Sequence, residues 1–281
     1  MIVPHYHDPD ALGRCLVALR LQDYPSDRLE IIVGDNASPE GEAAIAELLG
    51  AGVKLVVVTA RGAGPARNGA AIHAVGEVLA FTDCDCVPEP GWLREGVAAL
   101  AQSDIVGGRV RVLVESQARM TATEAFEVEF AFDNEGYVKR KGFTVTANLF
   151  CSRALFERVG GFATGVSEDL EWSHRATAAG YSLAYAPGAV VGHPARRNWD
   201  ELHRKWLRLN REAHQLYAYR RGGAARWFLR SCLLPTSIVI HAPRVLLSSK
   251  LETWRDRVGA LGILIRLRLW RTVDALQLAL R

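Results

Sequence analysis

The strongest constraint on this chain is a repeated alternation of short apolar runs with stretches of helical spacing, beginning at its first residues. Ile2-Val3-Pro4 reads as a strand. Asp8-Pro9 then reads as a helix N-cap followed by proline at the first helical position, with Leu12, Cys15, Leu16 and Leu19 recurring at helical intervals. Residues 30–34 and 53–58 predict further strands around a helix over 40–49, and a helix over 65–75 leads into a strand over 78–82. Such repetition calls for a mainly parallel sheet flanked by helices on both faces.

Open sheets of this class bind ligands beyond the carboxyl ends of their strands. Pro4-His5-Tyr6, Asp35-Asn36 and Asp83-Cys84-Asp85 each directly follow a strand, so topology alone predicts that they are neighbours. Further on, residues 105–113 predict a strand, 121–137 one long acidic helix, 144–150 a strand and 153–159 a short helix ended by Gly160-Gly161. Ser167-Glu168-Asp169 opens a helix that stops at Gly180, and a last strand over 185–191 ends near His193.

Charge divides the chain. Residues 1–195 hold 16 Lys/Arg against 25 Asp/Glu, a net −9, whereas residues 196–281 hold 18 against 6, a net +12. The sequence therefore predicts a catalytic domain over 1–195 and a basic, Trp/Arg-rich helical extension over 196–281 that meets an anionic partner. The longest charge-free stretch of the extension, residues 231–243, is far shorter than the ~20 apolar residues of a spanning helix. Five cysteines, with no secretory signal ahead of the first strand, predict a reduced, cytoplasmic setting.

Several constellations can carry chemistry. On an extended segment Asp83 and Asp85 point the same way, and two carboxylates with little else suit Mg²⁺ or Mn²⁺ shared with phosphate oxygens. The same pair also fits a polar turn after a buried strand, and Cys84 and Cys86 read as small packing residues. Asp35 can accept hydrogen bonds from a base or ribose, or simply cap the helix after Pro39. The turn from Arg61 to Asn68, with Arg67, suits a diphosphate or base edge. Glu168 and Asp169 at a helix start satisfy the helix dipole, or supply a general base. His193, after the last strand, is either structural or a metal ligand.

Taken together, these residues resemble family 2 glycosyltransferases of the GT-A fold over roughly residues 1–215. Val3-Pro4-His5-Tyr6, Gln22-Asp23-Tyr24-Pro25, residues 30–38, Gly64-Pro65-Ala66-Arg67-Asn68-Gly69, Phe81-Thr82-Asp83-Cys84-Asp85, Asn148 with Gly160-Gly161-Phe162, and Glu168-Asp169 follow the family's segments in order. The resemblance implies a metal-assisted, inverting transfer of a sugar from a nucleotide-diphosphate donor, by default UDP-linked, to a hydroxyl of a glycan or lipid-linked acceptor. It implies that Pro4, Tyr6, Asp35, Arg67, Asn68 and Asp83 hold the donor. Asp85, with His193, would hold the metal, Asp169 beside Glu168 would be the base, and Asn148 and Trp206 would lie on the acceptor side. Processive synthases of the family carry Gln-x-x-Arg-Trp after the base. Here Leu202-His203-Arg204-Lys205-Trp206 keeps only the Trp and a basic neighbour, which favours single addition over polymerisation.

Two other readings use the same residues. A nucleotidyltransferase would bring a Gly-rich phosphate loop and a Lys after the first strand, where this chain has His5-Tyr6-His7. A silent sugar-nucleotide-binding or membrane scaffold would show no metal-dependent donor hydrolysis. In the extension, residues 262–271 mix Leu and Ile with Arg266, Arg268, Trp270 and Arg271, which suits a helix lying at the cytoplasmic face of a membrane. Packing on the catalytic domain, or on another copy as a homo-oligomer, is the alternative. No nucleic-acid motif is present, and no nucleic-acid partner is expected.

Overall fold

The computed structural model describes residues 1–218 and 222–279. Its chain separates into two compact units: Met1–Arg111 with Asp133–Thr164 and Glu168–His193, and Val112–Phe132 with Gly165–Ser167 and the described part of 194–281. The second unit thus includes Val112–Phe132, a segment the sequence assigns to the catalytic domain.

The first unit is built on β1 (Ile2–His5), β2 (Ile31–Asp35), β3 (Val53–Val57), β4 (Val78–Phe81), β5 (Val87–Pro88), β6 (Ile105–Leu113), β7 (Leu149–Ser152) and β8 (Leu183–Pro194), in the order β3-β2-β1-β4-β7-β6-β8-β5. β3, β2, β1 and β4 run parallel, with Val3 opposite Val33 and His5 opposite Asp35. β7 is antiparallel to both β4 and β6, so the sheet is mixed, mainly parallel on its Rossmann-like flank. Helices α1 (Pro9–Arg20), α2 (Glu42–Leu49), α3 (Ala63–Ile72) and α4 (Trp92–Ala99) connect the early strands.

Side-chain alternation gives the sheet two cores. Val3, Val33, Ala80 and Phe150 pack with α1 residues Leu12, Leu16 and Leu19. Ile2, Ile32, Leu79 and Phe81 pack with α3 residues Ala70 and Ala71 and with Phe156, Phe162 and Trp172. Asp8 caps α1 as its sequence predicts, accepting from the Ala11 amide with Pro9 at the first position. Gly34 is required where α3 crosses β2, since a Cβ there would lie 2.2 Å from the Ala66 carbonyl oxygen.

The predicted helix over 121–137 is broken. α5 (Ala122–Phe130) starts on a capping box between Thr121 and Glu124, then stops. The Asp133 carboxylate accepts from the Gly136 amide and opens the short α6 (Asn134–Gly136), while the buried Asn134 amide group donates to the Gly108 carbonyl and to Thr144 Oγ1. Those side-chain bonds hold the backbone out of helical register. The strand expected over 144–150 starts only at Leu149, because Thr146–Asn148 forms a 3₁₀ turn. α7 (Arg153–Val159) and α8 (Glu168–Ala178) follow.

The second unit contains α5 with α9 (Trp199–Ala218), α10 (Gly223–Leu233), α11 (Thr236–Leu246) and α12 (Trp254–Ala279). Its core joins Ala125 and Phe126 of α5 to Leu202, Val245, Leu251, Ala260, Leu264 and Leu267. The segment 262–271, expected in a membrane interface, has one face turned into this core and another exposed. Leu264, Leu267 and Arg271 are buried, and the Arg266 guanidinium lies 4.0 Å from the Trp199 ring centre. Arg266 and Arg271 stack on tryptophans of the same unit, and Gly262, Ile265, Arg266 and Leu269 are exposed. Among the described residues, no helix is long and apolar enough to cross a membrane.

Candidate active site

The carboxyl ends of β1 and β2 carry a buried acid. Asp35 Oδ1 accepts from His5 Nδ1 at 2.8 Å and from Ser38 Oγ at 2.5 Å, and Oδ2 accepts from the Ser38 amide at 2.9 Å. The Asp8 amide donates to His5 Nε2 at 3.3 Å, which assigns the proton of a neutral His5 to Nδ1. Burial opposes ionisation of Asp35, yet the bonds from Ser38 and His5 outweigh it and hold the carboxyl below its ordinary range. Asp35 does not cap the following helix: Gly41 takes that position with no side-chain bond. His5 and Ser38 are partners that sequence reading missed, because neither forms part of a recognisable motif with Asp35.

Asn36, next in the chain, donates to the carbonyls of Val58 and Ala60 and accepts from the Gly62 amide. It pins the turn ahead of α3. Pro4 is buried in β1 opposite Gly34, whereas Tyr6 is 60% exposed and free to cover a planar ligand.

Arg67 on α3 is only 3% exposed, and its guanidinium pairs with both Asp83 and Glu168. Burial disfavours its charge, but the two carboxylates more than compensate and raise its pKa. Arg67 is therefore a buried, permanently charged bridge between the acid motif and the start of α8. The Asn68 side chain donates to the Phe162 carbonyl and accepts from the Phe162 amide, a clamp between α3 and Gly161-Phe162.

Asp83 and Asp85 converge, though not by strand alternation. The Cys86 amide donates to the Asp83 carbonyl at 3.1 Å and closes a turn, and the Cys15 thiol donates to the same oxygen. The turn brings one ligand atom each from Asp83, Asp85 and His193 within 4.8 Å of one another, with His193 Nε2 3.5 Å from Asp85 Oδ2. Two carboxylate oxygens and an imidazole form a donor set that fits Mn²⁺ or Mg²⁺ with room for phosphate oxygens. Cys86 is fully buried and Cys84 packs against the same core, and burial pushes both thiols far up. They are packing residues.

Glu168 begins α8 with its carboxylate against Arg67, and burial pushes its pKa up more than Arg67 pulls it down. A Cβ on Gly64 would lie 2.5 Å from Glu168 Oε2, so this glycine makes space for the acid. Asp169 follows, with Oδ1 accepting from the Leu170 amide at 2.8 Å.

Two residues expected on the acceptor side have well-defined structural partners. Asn148 is 0% exposed: its oxygen accepts from Trp92 Nε1 and its amide donates to the carbonyls of Arg109 and Ala189. It knits the sheet and has no polar group left for an acceptor. Trp206 belongs to the helical unit, where the Arg271 guanidinium stacks 4.0 Å from its ring centre.

A sheet parallel on one flank and antiparallel on the other, with an acidic turn after its fourth strand, defines the GT-A class of fold. Residues 1–165 match glycosyl transferase family 2, and the chain belongs to that family of glycosyltransferases. It is similar to glycosyltransferase AglE of Haloferax volcanii, at 28% identity over 278 residues, covering 96% of this chain and 90% of AglE. Among solved structures it resembles the mannosyltransferase PcManGT of Pyrobaculum calidifontis in complex with GDP-Man and Mn²⁺. That likeness has a TM-score of 0.55 at 22% identity and covers 99% of this chain and 72% of that one. It also resembles residues 1–349 of S. aureus TarS in complex with UDP-GlcNAc, with a TM-score of 0.52 at 17% identity over 98% of this chain and 88% of that one.

Proposed function

We propose that this glycosyltransferase moves a sugar from a nucleoside-diphosphate donor, UDP-linked in the first instance, to a hydroxyl of a glycan or lipid-linked acceptor. Transfer proceeds with inversion at the anomeric carbon, one sugar at a time, peripherally at the cytoplasmic face of a membrane. The observation that carries the proposal is the convergence of Asp83, Asp85 and His193 at a strand end, joined through Arg67 to the Glu168-Asp169 segment.

Asp35, ionised and buried at the end of β2, supplies an acceptor for the N–H of a base, and exposed Tyr6 supplies a face for it. Asp85 and His193, with Asp83, would hold the divalent ion. When bound, that ion neutralises charge developing on the leaving diphosphate. Asp169 takes the proton of the acceptor hydroxyl as it attacks the anomeric carbon, the bond to the diphosphate breaking as the new one forms. Arg67 keeps Glu168, and with it the first turn of α8, at a fixed distance from the acid motif. In relatives, GDP-Man and UDP-GlcNAc both occur as bound donors, so the base is the first point to test.

The test is a screen of nucleotide sugars for Mn²⁺-dependent release of free nucleotide. Release from at least one donor, abolished by chelation, supports the proposal. Metal-dependent pyrophosphate release from a nucleoside triphosphate and a sugar phosphate would favour a nucleotidyltransferase, and no turnover with any donor would favour a scaffold.

A further inference from the structure

α10 and α11 present opposite characters on their two sides. Inward, Trp227, Ser231 and Val245 are buried, and Trp227 Nε1 donates to the Ala275 carbonyl at 2.8 Å, which seats α10 on α12. Outward, Phe228, Leu229, Leu233, Val239, Ile240 and Leu247 form a stripe at helical spacing, with Val239 76%, Ile240 71% and Leu247 82% exposed. Large aliphatic side chains this open, repeated over two consecutive helices, mark an interaction surface rather than scattered exposure.

The charge carried by α10 and α11 themselves has one sign. Between Glu212 and Glu252 the sequence contains no acidic residue, while Arg226, Arg230, Arg244 and Lys250 lie along the described part of it. Where α11 ends, Pro243, Arg244, Leu247, Ser249 and Lys250 line an open cleft of about 400 Å³. The one acid in that cleft, Glu129, already accepts from Arg244 and Ser248.

We infer that the α10–α11 face docks on the surface of an anionic lipid bilayer. The apolar stripe enters the headgroup–acyl boundary, and Arg226 and Lys250 meet lipid phosphates, with the cleft beside Leu247 receiving a headgroup. A second copy is disfavoured because face-to-face pairing would bring like charges together. A spanning role is disfavoured because no described helix is long and apolar enough. The docking surface is therefore this pair of helices, and not the 262–271 segment singled out by its composition. The inference deepens the peripheral placement but rests on the helical unit alone, independently of the transfer chemistry.

The test is flotation of the full chain with phosphatidylcholine vesicles, with and without phosphatidylglycerol. Wild type is expected to float with the anionic vesicles only. Phe228→Asp and Ile240→Asp are each expected to weaken binding by about tenfold or more, and Arg226→Gln by about fivefold. Circular dichroism and metal-dependent nucleotide release in solution stay at wild-type levels in all three, which separates lost docking from lost folding. Failure of wild type to float with anionic vesicles, or undiminished flotation of a Phe228→Asp/Ile240→Asp double variant, overturns the inference. A dimer in light scattering that Ile240→Asp converts to monomer, without vesicle binding by either, assigns the face to a second copy and also overturns it. A chain that floats as expected yet releases no nucleotide leaves the docking intact and counts only against the transferase reading.

Discussion

The sheet unit and the helical unit both bury charge, and they do so to opposite ends. In the sheet unit, Asp83, Asp85 and Glu168 crowd round one buried arginine and one histidine, an acidic excess that a cation and a diphosphate would relieve. In the helical unit the buried acids Glu127 and Glu129 have basic partners of their own. Glu127 is 1% exposed between Arg196 and Lys205, and Glu129 accepts from Arg244 and Ser248. An acidic excess round one arginine suits a site that takes a cation, whereas an acid set between its own basic partners suits a scaffold.

Substitutions should therefore separate the two units by what they damage. The largest expected effect is on turnover: Asp169→Asn should lower kcat by about 10²–10⁴-fold, measured as sugar transfer at saturating donor, with thermal stability unchanged. A variant with wild-type kcat would remove Asp169 from its role. Next comes Glu127→Gln, which leaves Arg196 and Lys205 without a counter-charge. It should cost about 3–5 kcal/mol in denaturant unfolding while sparing donor hydrolysis by the folded fraction. If it were neutral, the scaffold side of the comparison would be wrong.

A smaller effect concerns acid. Burial opposes the charge on Glu127, but Lys205 and Arg196 hold its carboxyl below the ordinary range, as Ser38 and His5 do for Asp35. Both depressed groups contribute stability that is present above the ordinary carboxylate pKa of about 4 and is lost as pH falls through their lower folded values. Tm should decline below about pH 5, and the decline should be shallower in Glu127→Gln. A parallel decline in variant and wild type would show that Glu127 is not linked to acid unfolding. The smallest effect is Gly64→Ala, whose Cβ displaces the Glu168 carboxylate from Arg67. It should reduce turnover by about tenfold with little loss of stability, and unchanged turnover would show that the bridge has no part in placing α8.

The sheet flank was legible because its signals are local. Periodicity located β1 to β4, Asp8-Pro9 located a cap, and the strand-end rule put Asp35 and Asp83 on one edge of the sheet. The missed features depend on contacts far apart in sequence. Arg67 meets Glu168 across 101 positions, and the helix over 121–137 stops because Asn134 bonds to Gly108, 26 residues earlier. The family resemblance alone places Asn148 on the acceptor side, and its three side-chain bonds fasten the sheet. In 262–271, whose arginines and tryptophans read as an interfacial helix, Arg266 and Arg271 stack on Trp199 and Trp206 of their own unit, contacts that composition does not reveal.

The most direct measurement is Mn²⁺ binding by electron paramagnetic resonance, with and without UDP, in wild type and Asp85→Ala. If Asp83, Asp85 and His193 hold the ion that carries the donor diphosphate, wild type binds Mn²⁺ more tightly with UDP present, and Asp85→Ala loses that gain and at least about 10²-fold in nucleotide release. UDP-enhanced Mn²⁺ binding that survives Asp85→Ala, or donor turnover undiminished by chelation, would contradict the assignment.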